Sequence, residues 1–152
     1  MTQREDFIAW TIKEFRANHG RVGGPFAGAP LLLLHSHGAK SGLERTNPMM
    51  YLPDGPRYLV FASKAGAAKN PAWYHNVLAY PTSAIEVGDA RIEVTATELH
   101  GAERDGFFHE QASRFPGFAG YQRMTERTIP VIALSPVRSD AVPQTTVPQQ
   151  TD

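Results

Sequence analysis

The sequence predicts an α+β domain built on an antiparallel sheet that closes into a small barrel. Three observations carry that expectation. Six short apolar or alternating segments read as strands, and two pairs of them flank hairpin turn chemistry. The strands are not separated by regular helices, which argues against a doubly wound parallel sheet. With so few helices to cover it, such a sheet buries its apolar face best by closing on itself.

The elements follow in chain order. Arg4–His19 has the spacing of an amphipathic helix, with Phe7, Ile8, Ile12 and Phe15 on one face. Glu5 and Asp6 fall in its first turn, and Gly20 is suited to end it. Residues 20–30, GRVGGPFAGAP, form a glycine-rich connector that hugs the barrel. They lack the preceding strand and following helix of a dinucleotide-binding glycine motif. Leu31–His35 is the first strand. Met49–Leu52 and Tyr58–Ala62 flank PDGP, where Asp54-Gly55 supplies a hairpin turn. Asn70 is placed to cap a helix with Pro71 at its first position, so that Pro71–Ala79 is a short helix stopped by Pro81. Ile85–Val87 and Ile92–Thr97 alternate around GDA as a second hairpin. Ala102–Phe115 is predicted helical with Phe107, Phe108, Ala112 and Phe115 inward, despite Gly106. Gly117–Met124 reads as a short turn and Ile129–Leu134 as the last strand. Residues 137–152, rich in Pro, Gln and Thr, are predicted to be disordered. The expected organisation is thus an N-terminal helix over 1–20, a barrel over 21–136 and a tail over 137–152.

Length and composition exclude several classes. At 152 residues, 41% of them hydrophobic, the chain suits one domain. It has no cysteine, which removes thiolate catalysis, disulfides and Cys-based metal centres. No apolar run reaches membrane-spanning length and residues 1–9 lack a signal-peptide pattern, so a cytoplasmic protein is expected. In the first helix, Arg4, Lys13 and Arg16 are offset by three acids, which favours packing on the barrel over peripheral membrane contact. Net charge is zero but unevenly spread. Residues 35–80 carry Lys40, Arg45, Arg57, Lys64 and Lys69 against only Glu44 and Asp54. A local positive excess in a neutral chain points to a compact anionic ligand, not to nucleic acid.

Two segments gather the candidate chemistry. In GAKSGLERTNP (38–48), Gly38 and Gly42 admit close approach of backbone N–H groups, Ser41 adds a hydroxyl, and Lys40 and Arg45 add charge. That set suits a phosphate nest, with a polar surface hairpin as the alternative. It is not a Walker A loop. In ASKAGAAKNPAWYHN (62–76), Ser63, Lys64 and Lys69 precede a capped helix whose N-terminus is partly positive, and Trp73 offers a flat wall for a ring system. Ordinary packing of Trp73 and Tyr74 is the alternative. His35 and His37 share a strand face but have no ordered third ligand, so no metal is expected. Ser41 and Ser63 lack a nucleophile-elbow context. Phe115, Phe118 and Tyr121 form a spaced aromatic stripe around Pro116-Gly117, either core or pocket lid.

These segments, together with YP (80–81) and RFPGFAGYQRMTERTIPVIALSP, resemble the deazaflavin-dependent nitroreductase family over about residues 20–136. The resemblance implies a split β-barrel that binds reduced coenzyme F420, an 8-hydroxy-5-deazaflavin. By that resemblance Lys40, Ser41 and Arg45 grip the coenzyme phosphate, with Lys64 and Lys69 nearby. Asn47, Pro48, Met49, Phe61, Ala62 and Ser63 line the deazaflavin ring, and Ala72, Trp73, Tyr74, His75 and Asn76 form its other wall. Met50, Phe115, Phe118 and Tyr121 line the substrate side, with Ser63 or Tyr121 donating a hydrogen bond or proton to the product. The chain departs from the family pattern at Ala39, where an Arg is usual. It also has Met50, Phe115 and Phe118 where nitroimidazole-activating members carry tyrosines, which makes the pocket greasier. The implied activity is hydride transfer to an electron-poor small molecule, an enone, quinone or nitro compound. A non-catalytic coenzyme carrier and an FMN-binding split barrel are the alternatives. A homodimer is expected by analogy with split barrels.

Overall fold

The computed structural model describes residues 2–137, so the tail expected to be disordered lies outside the described residues except for Val137. Seven strands form one sheet: β1 (Leu31–His37), β2 (Glu44–Met50), β3 (Leu52–Asp54), β4 (Arg57–Phe61), β5 (Thr82–Val87), β6 (Ala90–Leu99) and β7 (Val131–Pro136). Four helices accompany them: α1 (Gln3–Ala17), α2 (Ala72–Ala79), α3 (Gly101–Arg114) and α4 (Gly117–Arg123). Short 3-10 turns occupy Gly24–Phe26 and Lys64–Gly66. Among the described residues, no helix is long and apolar enough to cross a membrane.

The strand order is β2-β1-β5-β6-β7-β4-β3, and every neighbouring pair is antiparallel. Its two outermost strands, β2 and β3, are consecutive in the chain and separated by Tyr51 alone. Met50 and Leu52, two steps apart along the chain, are at most about 7 Å from each other, so the sheet must curl until its edges nearly meet. No ladder joins β2 to β3, so the circuit stays open there. The expected curled antiparallel sheet is therefore present, with seven strands in place of six.

Alternation along the strands sorts the apolar residues into two faces. Leu32 and Leu34 of β1, Val60, Ile85, Val94, Ile132 and Leu134 share one face with Trp73 and Val77 of α2. On the other face Leu59, Phe61, Leu99, Val131 and Ala133 pack against Phe108 of α3 and Phe118 of α4. Leu31 and Leu33 turn the same way as that second set and meet Phe15 and Val22. All four leucines of β1 are buried because the strand is covered on both faces, which explains its unbroken apolar run.

Several boundaries differ from the sequence reading. The segment 38–48 is a turn only as far as Leu43; from Glu44 onward it pairs with β1, with Thr46 opposite His35. Pro48 fits inside β2 because β2 is an edge strand with no ladder on its outer side. Asn70 does not cap α2: its Oδ1 accepts from Arg127 instead, and Pro71 occupies the cap position without a side-chain bond. The expected turn at Gly117 is helix α4. On α1, Phe15 and Thr11 are the buried residues, while Phe7 is 42% exposed, so the buried stripe is rotated from the expected one. Thr11 hides its polarity by donating to the carbonyl of Phe7 at 2.8 Å. The start of α1 is closed by a capping box between Thr2 and Glu5.

A polar anchor fastens the end of α1 to the sheet. Arg16 makes two bonds to Glu86, at 3.1 and 2.7 Å. Glu86 also faces Nε2 of the buried His35 at 2.6 Å, and Nδ1 of that ring faces Glu44 at 2.7 Å. The Arg16 hydrogen bond first, and His35 beside it, hold the Glu86 carboxyl below its ordinary 4.5. A carboxylate depressed in this way contributes stability above its unfolded value, and that contribution is lost as pH falls through the lower folded value. We predict that Glu86→Gln lowers stability near pH 7 by about 1–3 kcal/mol. Denaturant melts repeated down through and below pH 4.5 should show the gap from wild type closing.

Candidate functional site

Two adjoining cavities follow β2 along the open seam of the sheet. The larger, about 810 Å³, is lined by the turn at Gly38–Ser41, by Arg45, Thr46 and Asn47 of β2, by Lys64, and by Pro71, Ala72, Trp73, His75 and Asn76. Arg4, Glu5 and Ile8 of α1 complete it. The smaller, about 330 Å³, is lined by Asn47, Pro48, Met49, Met50, Phe61, Ser63, Phe118 and Tyr121, with Phe7 and Phe26 at its N-terminal side. Arg4, Ile8, Asn47, Lys64, Pro71 and Trp73 border both. The larger chamber thus carries four cations, and the smaller, which shares Arg4 and Lys64 with it, is otherwise mainly apolar.

The charge in the larger chamber is unbalanced. Arg4, Lys40, Arg45 and Lys64 line it, and none has an ion pair among the described residues. The single carboxylate on its wall, Glu5, is engaged by the backbone N–H of Thr2 at 2.9 Å. Four uncompensated cations around one concavity create a positive potential that suits an anion.

The turn after β1 is rigid where it meets α2. The N–H of Gly42 bonds the carbonyl of Gly38, and the N–H of Gly38 bonds that of Leu43, both at 2.8 Å. Gly42 sits at φ +74°, a conformation that favours glycine. Asn76, buried on α2, accepts the N–H of Ala39 at 2.9 Å and donates to Ser36 at 3.3 Å. The Ser41 hydroxyl accepts the N–H of Leu43 at 3.1 Å. Among the described residues, only the N–H groups of Lys40 and Ser41 in this turn lack an internal acceptor, which leaves them for a ligand.

Loop 62–70 is held in an unusual shape. Lys64, Ala65 and Gly66 all have positive φ, at +46°, +52° and +82°. Two non-glycine residues in that region cost of order 1–3 kcal/mol each, and persist only where the surroundings enforce them. Gly66 has no alternative, since a Cβ there would lie 2.9 Å from both the carbonyl of Tyr121 and Cβ of Met124. The enforcing group is Arg127. Its guanidinium donates to the carbonyls of Ala67 (2.9 Å), Ala62 (3.1 Å) and Ser63 (2.8 Å), and to Oδ1 of Asn70 (2.7 Å). Burial without a carboxylate partner lowers the Arg127 pKa from its ordinary value. Arg127 is positioned in turn by Gln122, which donates to the Arg127 carbonyl at 2.7 Å, and Arg104 holds both Gln122 and the carbonyl of Ile129.

Most of the residues singled out from sequence line one cavity or the other, and four do not. Ala62 is fully buried in the core. Lys69 is exposed and borders neither chamber. Tyr74 packs on the core and donates its hydroxyl to Glu98 at 2.9 Å. Desolvation, then that bond, pushes the Tyr74 pKa up to about 12. Phe115 packs against the core cluster that contains Phe108 and Phe118 and lines neither chamber. Asn76 borders the cationic chamber, but its amide is engaged with the turn. Among the described residues no group of three or more His, Asp or Glu is placed to hold a metal, and His35 is bracketed by Glu44 and Glu86. Sequence reasoning missed Arg4, Phe7, Ile8 and Phe26 as wall residues. It also missed Arg104 and Arg127, whose partners lie far away in the chain.

Known proteins resemble the chain over most of its length. A family model described as F420H(2)-dependent quinone reductase matches residues 9–136. The F420H(2)-dependent quinone reductase Rv1261c of Mycobacterium tuberculosis is 39% identical over 128 residues, covering 80% of this chain and 84% of its own. A solved structure described as an F420-H2 dependent reductase, FDR-A, is 39% identical with a TM-score of 0.64, covering 70% of this chain and 94% of its own. Another, described as a domain-swapped dimer, is 36% identical with a TM-score of 0.66, covering 87% of this chain and 96% of its own. The matches name quinone reductases where the sequence motifs suggested nitroreductases.

The Arg127 clasp is open to a direct check. We predict that Arg127→Met lowers stability by about 2–4 kcal/mol, because four acceptors lose their donor. Thermal melts read that loss, and trypsin should cut faster after Lys64 or Lys69. Unaltered melting and cleavage would remove Arg127 as the clasp.

Proposed function

The chain belongs to the F420H(2)-dependent quinone reductase family, and from that membership we propose that it reduces a quinone held in its apolar chamber. It is an F420H2-dependent reductase, and its redox cofactor is coenzyme F420, an 8-hydroxy-5-deazaflavin. The observation that carries the finer reading is the partition of the cleft into a cationic and an apolar chamber with a common wall at Asn47, Lys64, Pro71 and Trp73. The donor set fits the coenzyme: uncompensated cations and the free N–H groups of Lys40 and Ser41 suit a phosphate, and Trp73 suits a ring.

When bound, the reduced deazaflavin supplies the hydride. The residues of this chain have simpler tasks. Lys40, Ser41, Arg45 and Lys64 hold the phosphate in the larger chamber. Trp73 on one side and Asn47, Pro48 and Met49 on the other orient the ring at the common wall. Met50, Phe61 and Phe118 exclude water from the acceptor, which strengthens each polar contact made there. Tyr121 and Ser63 border the same chamber and are the hydroxyls placed to donate to an oxygen that gains charge. A quinone fits better than a more polar acceptor, because the hydroxyls of Tyr121 and Ser63 are set among apolar side chains. Similarity to a domain-swapped dimer supports a homodimer as the working assembly.

Purified protein should oxidise reduced F420 in the presence of a quinone faster than buffer does, followed by absorbance. Binding without turnover across quinones, enones and nitroaromatics would instead favour a carrier, and a yellow preparation would favour FMN. Arg45→Ala should weaken coenzyme binding about 10–100-fold while slowing the saturated enzyme little. Tyr121→Phe should lower turnover roughly 10²-fold with little change in coenzyme affinity. Wild-type turnover in that variant, with a loss in Ser63→Ala, would move the donor role to Ser63.

A further inference from the structure

Helix α1 contributes to the cleft in a way that the family match does not cover. That match begins at residue 9, so Arg4, Phe7 and Ile8 lie outside it. Yet Arg4 and Ile8 border both chambers, and Phe7 borders the apolar one. Arg4 has no ion pair among the described residues, and its neighbour Glu5 is engaged in the capping box. Arg4 is exposed and lines a concavity together with three further cations, a positive field that favours an anion bound among them.

The attachment of α1 is lopsided. Its polar links to the sheet are at the C-terminal end and just beyond: Arg16 to Glu86, and His19 to Asp89 at 2.8 Å. Phe15, fully buried, is in the same half. The first two turns have only the local capping box and the half-buried Ile8, with Phe7 stacked on Trp10 and Phe26 at 5.9 and 5.8 Å. This half of the helix therefore borders the cleft with little holding it there.

We propose that Arg4 is a ligand for the acidic part of bound F420, and that this contact fixes the first half of α1 as a wall of both chambers. The inference rests on the F420 reading above. Three cations from the barrel already face a phosphodiester of one charge, so the fourth suits a ligand with further negative groups, the carboxylates of a polyglutamate tail. Because Phe7 and Ile8 are on the same two turns, fixing Arg4 also shapes the apolar chamber. Coenzyme binding then favours acceptor binding, and by linkage the reverse holds.

The test is a fluorescence titration of wild type and Arg4→Gln with two probes: F420, and the deazaflavin riboside that lacks phosphate and tail. Glutamine keeps helix propensity while removing the charge. Affinity for F420 should fall about tenfold or more in the variant, with riboside affinity unchanged. Amide hydrogen exchange over residues 3–12 should slow when F420 is added to wild type and not to the variant. Equal F420 affinity in the two proteins would overturn the role of Arg4, as would an equal loss for both probes. Wild type that fails to bind F420 would overturn the coenzyme reading itself, and with it this inference.

Discussion

The architecture follows from a constraint of connectivity: strands at opposite ends of the sheet are joined through a single residue, Tyr51. Curling is then obligatory, and because β2 and β3 do not pair, the curl leaves a seam. An edge strand normally carries unpaired N–H and C=O groups that invite aggregation. Here the seam is covered by α1 and loop 62–70, and the space between them and β2 is the cleft. The binding site is thus what remains of a barrel that stops short of closure.

That origin explains the division of the cleft. Arg45, Thr46 and Asn47 of β2 line the cationic chamber and Asn47, Pro48, Met49 and Met50 the apolar one, so the division runs along the length of the strand with Asn47 at the boundary. One strand thereby serves two chambers. Among the described residues no group of three or more His, Asp or Glu is placed to hold a metal, and a hydride-donating coenzyme needs none. What the cleft presents is exposed positive charge in one chamber and mainly apolar side chains in the other.

Much of this was legible in the sequence because the relevant signals are local. The leucine run, the two hairpins, the proline before α2 and the cationic turn each depend on a few neighbouring residues, and each lies close to its expected place. The failures involve partners distant in the chain. Glu44–Pro48 look like turn and become strand because β1 offers a ladder that sequence spacing does not reveal. Asn70 looks like a helix cap and is claimed instead by Arg127, fifty-seven positions away. Arg4 and Ile8 look like an ordinary helix face, and only the curl of the sheet makes them part of a cleft.

The Arg127 clasp has an electrostatic consequence beyond holding a loop. A trans peptide unit sets its N–H opposite its C=O, so carbonyls drawn toward one guanidinium turn the positive ends of the same units outward. The unit between Ser63 and Lys64 is among them, and Lys64 borders both chambers. The carbonyls of loop 62–70 thus neutralise a half-buried cation; of the N–H groups on the same units, that of Ser63 is taken by the carbonyl of Phe61, while that of Lys64 has no internal acceptor among the described residues.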